Sequence, residues 1–154
     1  IVSYGGQMGK INNQIEKVII NPASDNYTTI LWVSRHSPLP SQIVALRNHF
    51  GDIKLVQVSG VFQTAEDVMA LVLKHKADVV VPVLPLSFIA RLCEFAKRMK
   101  FTLLWAQMEL LHNNREEPCP EFNDETDVIV QPNRHFRFKE FKIIREVKLV
   151  LEDL

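Results

Sequence analysis

The chain has 154 residues, with 18 Lys and Arg against 18 Asp and Glu, and a formal net charge of zero. This length fits one domain that can bury a core, and the balanced charge argues against a strongly basic, general DNA-binding protein. No apolar run is long enough to cross a membrane, and no basic stretch leads into an apolar one near the start, as it does in a signal peptide. The sequence therefore predicts a cytoplasmic protein that makes no use of a membrane.

The two cysteines agree with a reducing compartment. Neither Cys93 nor Cys119 lies in a spacing typical of metal ligands, and two cysteines cannot form a disulfide framework. Cys93 falls in a helical pattern and is expected in the core, whereas Cys119 lies between two prolines and is expected to be exposed and reduced. The five histidines are scattered and form no HExxH motif. The sequence therefore predicts neither a metal nor a cofactor.

The first residues differ in character from the rest of the chain. The glycine-rich run at 5–9 and a start at Ile1 lead us to interpret part of residues 1–10 as a vector-derived leader, or as the end of a missing upstream segment. One strand, Glu16–Ile20, is expected before Asn21. We therefore predict an N-terminal extension at 1–27, followed by a single Rossmann-like α/β domain at 28–154.

Strand and helix patterns alternate from residue 28 to residue 109. Uncharged β-branched runs predict strands, and apolar stripes at helical spacing predict helices. In chain order, the predicted elements are strand Thr28–Ser34, helix 38–50 capped by Ser37, strand Ile53–Ser59, a helix from Thr64 to Lys76, strand Asp78–Pro85, helix 87–100 and strand Phe101–Glu109. Such alternation predicts a mostly parallel sheet with helices on both faces. Trp32 and Trp105 are expected in its core.

The remainder of the chain is polar and then alternating. It is predicted to form a long loop at 110–126, a strand at Asp127–Gln131, and two antiparallel strands within 134–152 joined near Phe141–Lys142, with a helix over 141–152 as the alternative. In the first of these strands, Phe136 and Phe138 are expected to face the core and the basic side chains to face water, rather than to stack on nucleic-acid bases.

Two segments near the C-terminus carry opposite charge. Residues 109–127 hold seven acids and one base, whereas residues 134–148 hold six bases and two acids. Opposite charges of this kind can attract each other across a dimer or bind separate partners. The zero net charge therefore excludes a uniformly basic surface, but not a local phosphate site.

Ligands in open α/β sheets bind beyond the carboxyl ends of the strands. The chain has no GxGxxG after its first strand, no P-loop and no GxSxG elbow, which sets aside several nucleotide-binding and hydrolase families. After the first strand come Ser34, Arg35, His36 and Ser37, at the start of a helix whose N-terminal amides favour anions. Arg35 can bind a phosphate through two nitrogens, and His36 can act as a general acid near neutral pH.

Three further polar residues follow neighbouring strands. Ser59, Gln107 and Glu109 are predicted to complete the ligand site, and Glu109 could also serve as a base or as the acidic partner of Arg35 or His36. Plainer interpretations remain open at these positions. Ser37 could only cap the helix while Arg35 and His36 are solvated, and Glu109 could be an ordinary surface carboxylate.

The segment Val33–Gln42 resembles the start of small stand-alone CRISPR-associated proteins, which are Rossmann-like relatives of the CARF domain and include ring nucleases. Ser34, His36, Leu39 and Gln42 match the pattern of these proteins, whereas Arg35 departs from it and shifts the imidazole by one residue. The close match is confined to this segment, and the rest corresponds by strand order alone. The resemblance implies a homodimer that binds a cyclic oligoadenylate across its two-fold axis. It also implies cleavage without a metal, in which a ribose 2′-hydroxyl attacks the neighbouring phosphate and leaves a 2′,3′-cyclic phosphate.

We therefore expect the chain to bind a cyclic oligoadenylate, or another phosphate-bearing nucleotide, near Ser34–Ser37. Cleavage is the further step that the resemblance implies, with His36 and Arg35 as its catalytic residues. One alternative is a non-enzymatic interaction or assembly module of a mobile element or its host, which uses the same fold. Another is a small-molecule-binding domain with an open cleft near His36.

Overall fold

The computed structural model describes residues 14–113, 120–130 and 133–154. Within these ranges the chain is a mixed α/β protein with a seven-stranded sheet and three helices. In chain order the elements are β1 (Ile15–Ile20), β2 (Thr28–Val33), α1 (Pro40–Phe50), β3 (Ile53–Ser59), α2 (Ala65–His75), β4 (Val79–Pro82), α3 (Leu86–Met99), β5 (Thr102–His112), β6 (Asp127–Val130) and β7 (Arg134–Ile143). The strand predicted before Asn21 is confirmed. The predictions for residues 1–10 and Cys119 lie outside the described residues.

The strands follow the order β1-β3-β2-β4-β5-β7-β6 across the sheet. The central pairs β3–β2, β2–β4 and β4–β5 are parallel, whereas β1–β3, β5–β7 and β7–β6 are antiparallel. The α/β class and the antiparallel C-terminal strands are thus confirmed, but the sheet is mixed rather than mostly parallel. For the β7–β6 pair the reason is the connection between the two strands, which has only three residues and so permits only an antiparallel neighbour.

The core lies on both faces of β2. Leu31 and Val33 belong to a buried cluster with residues of α2 and α3, and this cluster includes Cys93, as predicted. Ile30 and Trp32 belong to a second cluster, with Leu46 of α1, on the opposite face. Helices therefore cover both faces of the sheet. None of these helices in the described ranges has the length and apolar character needed to cross a bilayer.

The start of α1 differs from the prediction. The helix begins at Pro40 rather than at residue 38, and its N-cap residue is Leu39, with an extended ψ of 153°. A proline disfavours the helical conformation of the residue before it, so Leu39 cannot be helical and the helix starts at the second proline. Ser37 is therefore not the cap. The cap predicted for α2 is confirmed, because Thr64 accepts a hydrogen bond from the Asp67 amide at 3.3 Å.

The ends of β4 and β5 also differ from the prediction. β4 ends at Pro82, three residues early, because proline has no N–H to continue the ladder. β5 runs on to His112, past the predicted end at Glu109, because β7 pairs with it as far as that residue. The first part of the predicted loop at 110–126 is therefore strand.

The C-terminal segment, residues 144–154, forms neither a strand nor a helix. The second strand predicted in 134–152 and the alternative helix over 141–152 are both wrong. The alternation of apolar and charged residues favours a strand, but a strand needs a partner. β7 already has β5 on one side and β6 on the other, so the chain that follows cannot fold back and pair with β7.

The faces of β7 also differ from the prediction. His135 is fully buried, and Arg137 points to the buried carboxylate of Asp127, so the polar side chains of this stretch do not simply face water. Phe136 remains partly exposed, and Phe138 packs on Phe141 with ring centroids 4.9 Å apart. The buried carboxylate of Asp127 therefore determines which face of β7 is buried.

The carboxylate of Asp127 joins β6, β7 and the loop before them. It accepts hydrogen bonds from two nitrogens of Arg137 at 2.7 and 2.9 Å, the Thr126 hydroxyl at 2.6 Å and the Asn123 amide at 3.0 Å. His135 Nε2 lies 2.7 Å from it, and because a carboxylate only accepts, this nitrogen carries the proton. The hydrogen bonds from Arg137 hold the pKa of Asp127 far below its ordinary value of 3.8.

Replacing this carboxylate should cost stability in a pH-dependent way. We expect Asp127→Asn to lower the free energy of unfolding by about 2–4 kcal/mol at pH 7, because Arg137 loses the negative charge and one of the two oxygens to which it donates. The unfolded state takes up a proton below about pH 4, whereas the folded state does so only at much lower pH. The wild-type increment should therefore be complete above about pH 5 and shrink as pH falls below 4.

Urea unfolding of both proteins at pH 7 and pH 3 measures this difference. The control is Asp25→Asn, which removes an exposed carboxylate of the loop before β2 and should change stability by less than about 0.5 kcal/mol. A gap between wild type and Asp127→Asn that is equal at both pH values would contradict the assigned role of the carboxylate.

Candidate functional site

The turn after β2 is fixed by one side chain from the neighbouring strand β3. Gln57 is buried, and its Nε2 donates to the carbonyl of Ser34 at 2.9 Å while its Oε1 accepts from the Ser37 hydroxyl at 3.0 Å. The Ser34 amide donates to the carbonyl of Val58 at 3.1 Å. A single buried amide therefore holds both ends of the turn.

The middle of the turn is held from two directions. The His36 amide donates to the hydroxyl of Ser34 at 3.1 Å, and the His36 carbonyl accepts from Nε1 of the buried Trp32 at 2.8 Å. The side chains of Arg35 and His36 are exposed. Neither side chain has a hydrogen bond or ion pair to any other residue that the structure describes. The backbone is thus fixed while the guanidinium of Arg35 and the imidazole of His36 are available to a ligand.

A cleft of about 500 Å³ lies beside this turn at the carboxyl ends of β2, β3 and β4, and we name it the turn cleft. Its volume is in the range of small-molecule sites. Its polar lining residues are Ser34, Arg35, His36, Ser59 and Gly60, and its apolar ones are Val33, Val58, Val61, Phe62, Val83 and Leu84. Gly60 has a φ of +133°, a conformation that other residues rarely adopt, so the bare backbone forms this part of the wall.

A second cleft, of about 650 Å³, lies on the other side of the turn, and we name it the Trp105 cleft. It shares Ser34 and His36 with the turn cleft. Trp105 is 45% exposed, so the expectation that it packs in the core is wrong. The backbone pairing of β4 with β5 ends at Val80–Leu103, two residues before Trp105, so no β4 residue is paired with Trp105 in the described sheet.

The N-terminus of α1 contributes less to this site than predicted. The Leu39 amide donates to Oε1 of Gln42 at 2.8 Å, and the Ser41 amide donates to the carbonyl of Glu125 at 3.0 Å. Pro40 has no N–H, and the Gln42 amide donates to the Leu39 carbonyl at 3.0 Å. The amides of the first turn are therefore occupied by the protein itself. Positive charge at the turn cleft comes from the guanidinium of Arg35 instead.

The structure brings together most of the predicted site residues. Ser34, Arg35, His36 and Ser59 line the turn cleft, and Ser37 lines the Trp105 cleft.

Gln107 and Glu109 line neither cleft. They lie where β5 pairs with β7, opposite Glu140 and Arg137 respectively. The prediction assumed that these two residues lie at the carboxyl end of the strand. It failed because β5 continues to His112, beyond the carboxyl ends of the parallel strands. Glu109 therefore does not serve as a partner for Arg35 or His36 in this arrangement.

Sequence reasoning missed three residues that form or support the clefts. Gln57 had a detectable signal, because a polar residue inside an apolar strand requires a buried partner. Gln42 was noted for the resemblance but not for its place in a cleft wall. Asp127 carried no signal, because its role depends on the pairing of β6 with β7.

Neither a metal site in the described ranges nor a match to a known protein adds residues to the two clefts. Within the described ranges, no three His, Cys, Asp or Glu side chains are grouped so that they could hold a metal ion. No protein-family model, curated protein or solved structure matches the chain. What the protein does is therefore inferred from the two clefts and the turn between them.

The two hydrogen bonds by which Gln57 holds the turn can be tested directly. We expect Gln57→Leu, which keeps a similar volume, to lower the free energy of unfolding by about 1–3 kcal/mol, because the Ser34 carbonyl and Ser37 hydroxyl lose their partner. Amide exchange at His36 should become faster. Urea unfolding and hydrogen exchange measure these effects, with Gln63→Leu at an exposed site as the matched control. Unchanged stability and exchange in Gln57→Leu would show that the turn is held in another way.

Proposed function

We propose that this protein binds a phosphate-bearing nucleotide in the turn cleft, in the cytoplasm. The observation that carries the proposal is the placement of Arg35 and His36 on a fixed turn at the carboxyl ends of parallel strands, beside a cleft of about 500 Å³. Arg35 has no acidic partner among the residues that the structure describes, and a guanidinium of this kind favours an anion such as phosphate, which matches its geometry. The hydroxyls of Ser34 and Ser59 add hydrogen-bonding groups at the same edge.

The ligand that we propose is a cyclic oligoadenylate, held by a homodimer. The resemblance at Val33–Gln42 supports this class of ligand, and the parallel strands β3, β2, β4 and β5 with helices on both faces are compatible with a Rossmann-like core. A ring of several nucleotides exceeds one turn cleft. Two clefts related by a two-fold axis would each hold part of the ring.

Cleavage of this ligand follows as the second part of the proposal. The ribose 2′-oxygen forms a bond to the neighbouring phosphorus, its proton passes to water, and the bond from phosphorus to the 5′-oxygen breaks. Arg35 stabilises the charge on the phosphate oxygens, and His36 donates a proton to the leaving 5′-oxygen. The products are a 2′,3′-cyclic phosphate and a free 5′-hydroxyl, and no metal takes part.

Substitution of Arg35 and of His36 should separate binding from turnover. We expect Arg35→Ala to weaken binding of cyclic tetra-adenylate at least about tenfold and to lose cleavage, because the phosphate loses its charged partner. His36→Ala should keep binding and lose at least about a hundredfold in turnover, because the leaving oxygen loses its acid. Equilibrium titration and chromatography of the products, in buffer with EDTA, measure the two effects.

Matched controls remove the same groups elsewhere. Arg98→Ala removes an exposed guanidinium near the C-terminal end of α3, and His49→Ala removes an exposed imidazole near the end of α1. Neither should change binding or turnover. A folded wild-type protein that neither binds nor degrades cyclic tetra-adenylate would refute the proposed ligand, and unchanged binding in Arg35→Ala would refute the proposed site.

Assembly is the second candidate function, and the C-terminal segment favours it. In residues 144–154, which have no regular structure, Leu149 and Leu151 are 83% and 80% exposed. Several adjacent exposed apolar side chains are typical of an interaction surface. The partner that we propose is a second copy of this chain, because a net charge of zero leaves no overall repulsion between copies. Ile144 anchors the segment, since its amide bonds the Leu103 carbonyl at 2.9 Å.

Removal of residues 146–154 should therefore produce a monomer. We expect the full chain to sediment as a dimer and the shortened chain as a monomer of unchanged circular dichroism, because the contacts that are lost lie outside the sheet. The paired substitution Leu149→Asp and Leu151→Asp should have the same effect, whereas Lys148→Ala with Glu152→Ala should not. A shortened chain that remains dimeric would exclude this segment as the dimer contact.

A further inference from the structure

We propose that the Trp105 cleft binds a purine base, and that this base belongs to the nucleotide whose phosphate lies in the turn cleft. The inference rests on the proposed function, because it assigns the second half of the same ligand. The two clefts meet at Ser34 and His36, which line both of them. One nucleotide can therefore reach from one cleft into the other across the turn.

The Trp105 cleft offers the aromatic surface that a base requires. Trp105 is 45% exposed and Phe122 is 38% exposed, and both line the cleft together with Met108. Two large aromatic side chains exposed together in a concave surface are typical of a binding site. Bases stack on such side chains, and the larger purines gain more contact area than pyrimidines.

A buried amide in the same cleft supplies a hydrogen-bond donor. Gln42 is only 5% exposed, and its Oε1 accepts from the Leu39 amide, which fixes the orientation of the carboxamide. Its Nε2 lies 4.0 Å from Sδ of Met108, a weak acceptor. Buried amide hydrogens normally have oxygen or nitrogen partners. Among the described residues this donor has no oxygen or nitrogen partner, and the ring nitrogens of a purine are acceptors of that kind.

The charge of the cleft is compatible with a nucleotide. Asp127 is the acidic residue among those that line it, but both of its oxygens accept hydrogen bonds within the protein. Arg137 compensates its charge at 2.7 Å. The cleft therefore presents no free carboxylate that would repel the phosphate bound on the other side of the turn.

The test compares three ligands on the full chain: adenosine 5′-monophosphate, adenosine and ribose 5-phosphate. We expect Trp105→Ala to weaken binding of adenosine monophosphate and adenosine at least about fivefold, and to leave binding of ribose 5-phosphate unchanged. Gln42→Glu, which keeps the acceptor for the Leu39 amide and removes the donor, should act in the same way. Tyr27→Ala, which removes an exposed aromatic residue before β2, is the matched control.

Fluorescence gives an independent measurement. Adenosine monophosphate should quench the emission of wild type but not that of Trp105→Phe, which retains binding and leaves only the buried Trp32 to report. Circular dichroism confirms that each variant is folded. Trp105→Phe also keeps the proposal testable if Trp105→Ala does not fold.

The outcomes separate this inference from the proposed function. Equal affinity for adenosine monophosphate and ribose 5-phosphate, with no effect of Trp105→Ala, would overturn the base site and leave the phosphate site standing. Binding of adenosine that depends on Trp105, with no binding of ribose 5-phosphate and no effect of Arg35→Ala, would overturn the phosphate site alone. Binding of uridine monophosphate as tightly as adenosine monophosphate would overturn the assignment to a purine.

Discussion

Burial of β2 on both faces is the constraint on which the rest of the structure depends. Ile30, Leu31, Trp32 and Val33 are all buried, and burial of each large apolar side chain contributes about 1.5–3 kcal/mol. Such a strand needs a neighbour at each edge and a helix over each face, which β3, β4, α1, α2 and α3 supply. At the carboxyl end of β2 the chain leaves the buried part of the sheet. Polar side chains at this position can therefore contact a ligand.

Buried polar side chains fix the conformation of the chain at this edge of the sheet. Gln57 and Trp32 hold the backbone of the turn, so that Arg35 and His36 project from a fixed position. Asp127 holds β6 to β7 through Arg137, and β6 forms part of the wall of the Trp105 cleft. Each of these groups has its hydrogen bonds satisfied inside the protein, so it stabilises the clefts without competing for a ligand.

The sequence predicted the elements whose signals are local. Helical periodicity and the Thr64 cap located α2, and an uncharged β-branched run located β2. Sequence patterns gave wrong predictions where the structure of one segment depends on its pairing with another segment. The alternation after residue 144 indicated a strand, but β7 has both of its sides occupied and cannot pair with it. Trp105 was expected in the core, but the pairing of β4 with β5 ends two residues before it.

The sequence by itself determined the order of strands and helices, and the cluster of polar residues that follows β2. These depend on spacing, turn residues and burial along a short stretch of chain. Only the tertiary structure decided which polar residues share a site. It brought Ser59 beside Arg35 and His36 and left Gln107 and Glu109 outside both clefts. The physical reason is that strand pairing and strand separation set these distances, and both depend on contacts between segments far apart in the chain.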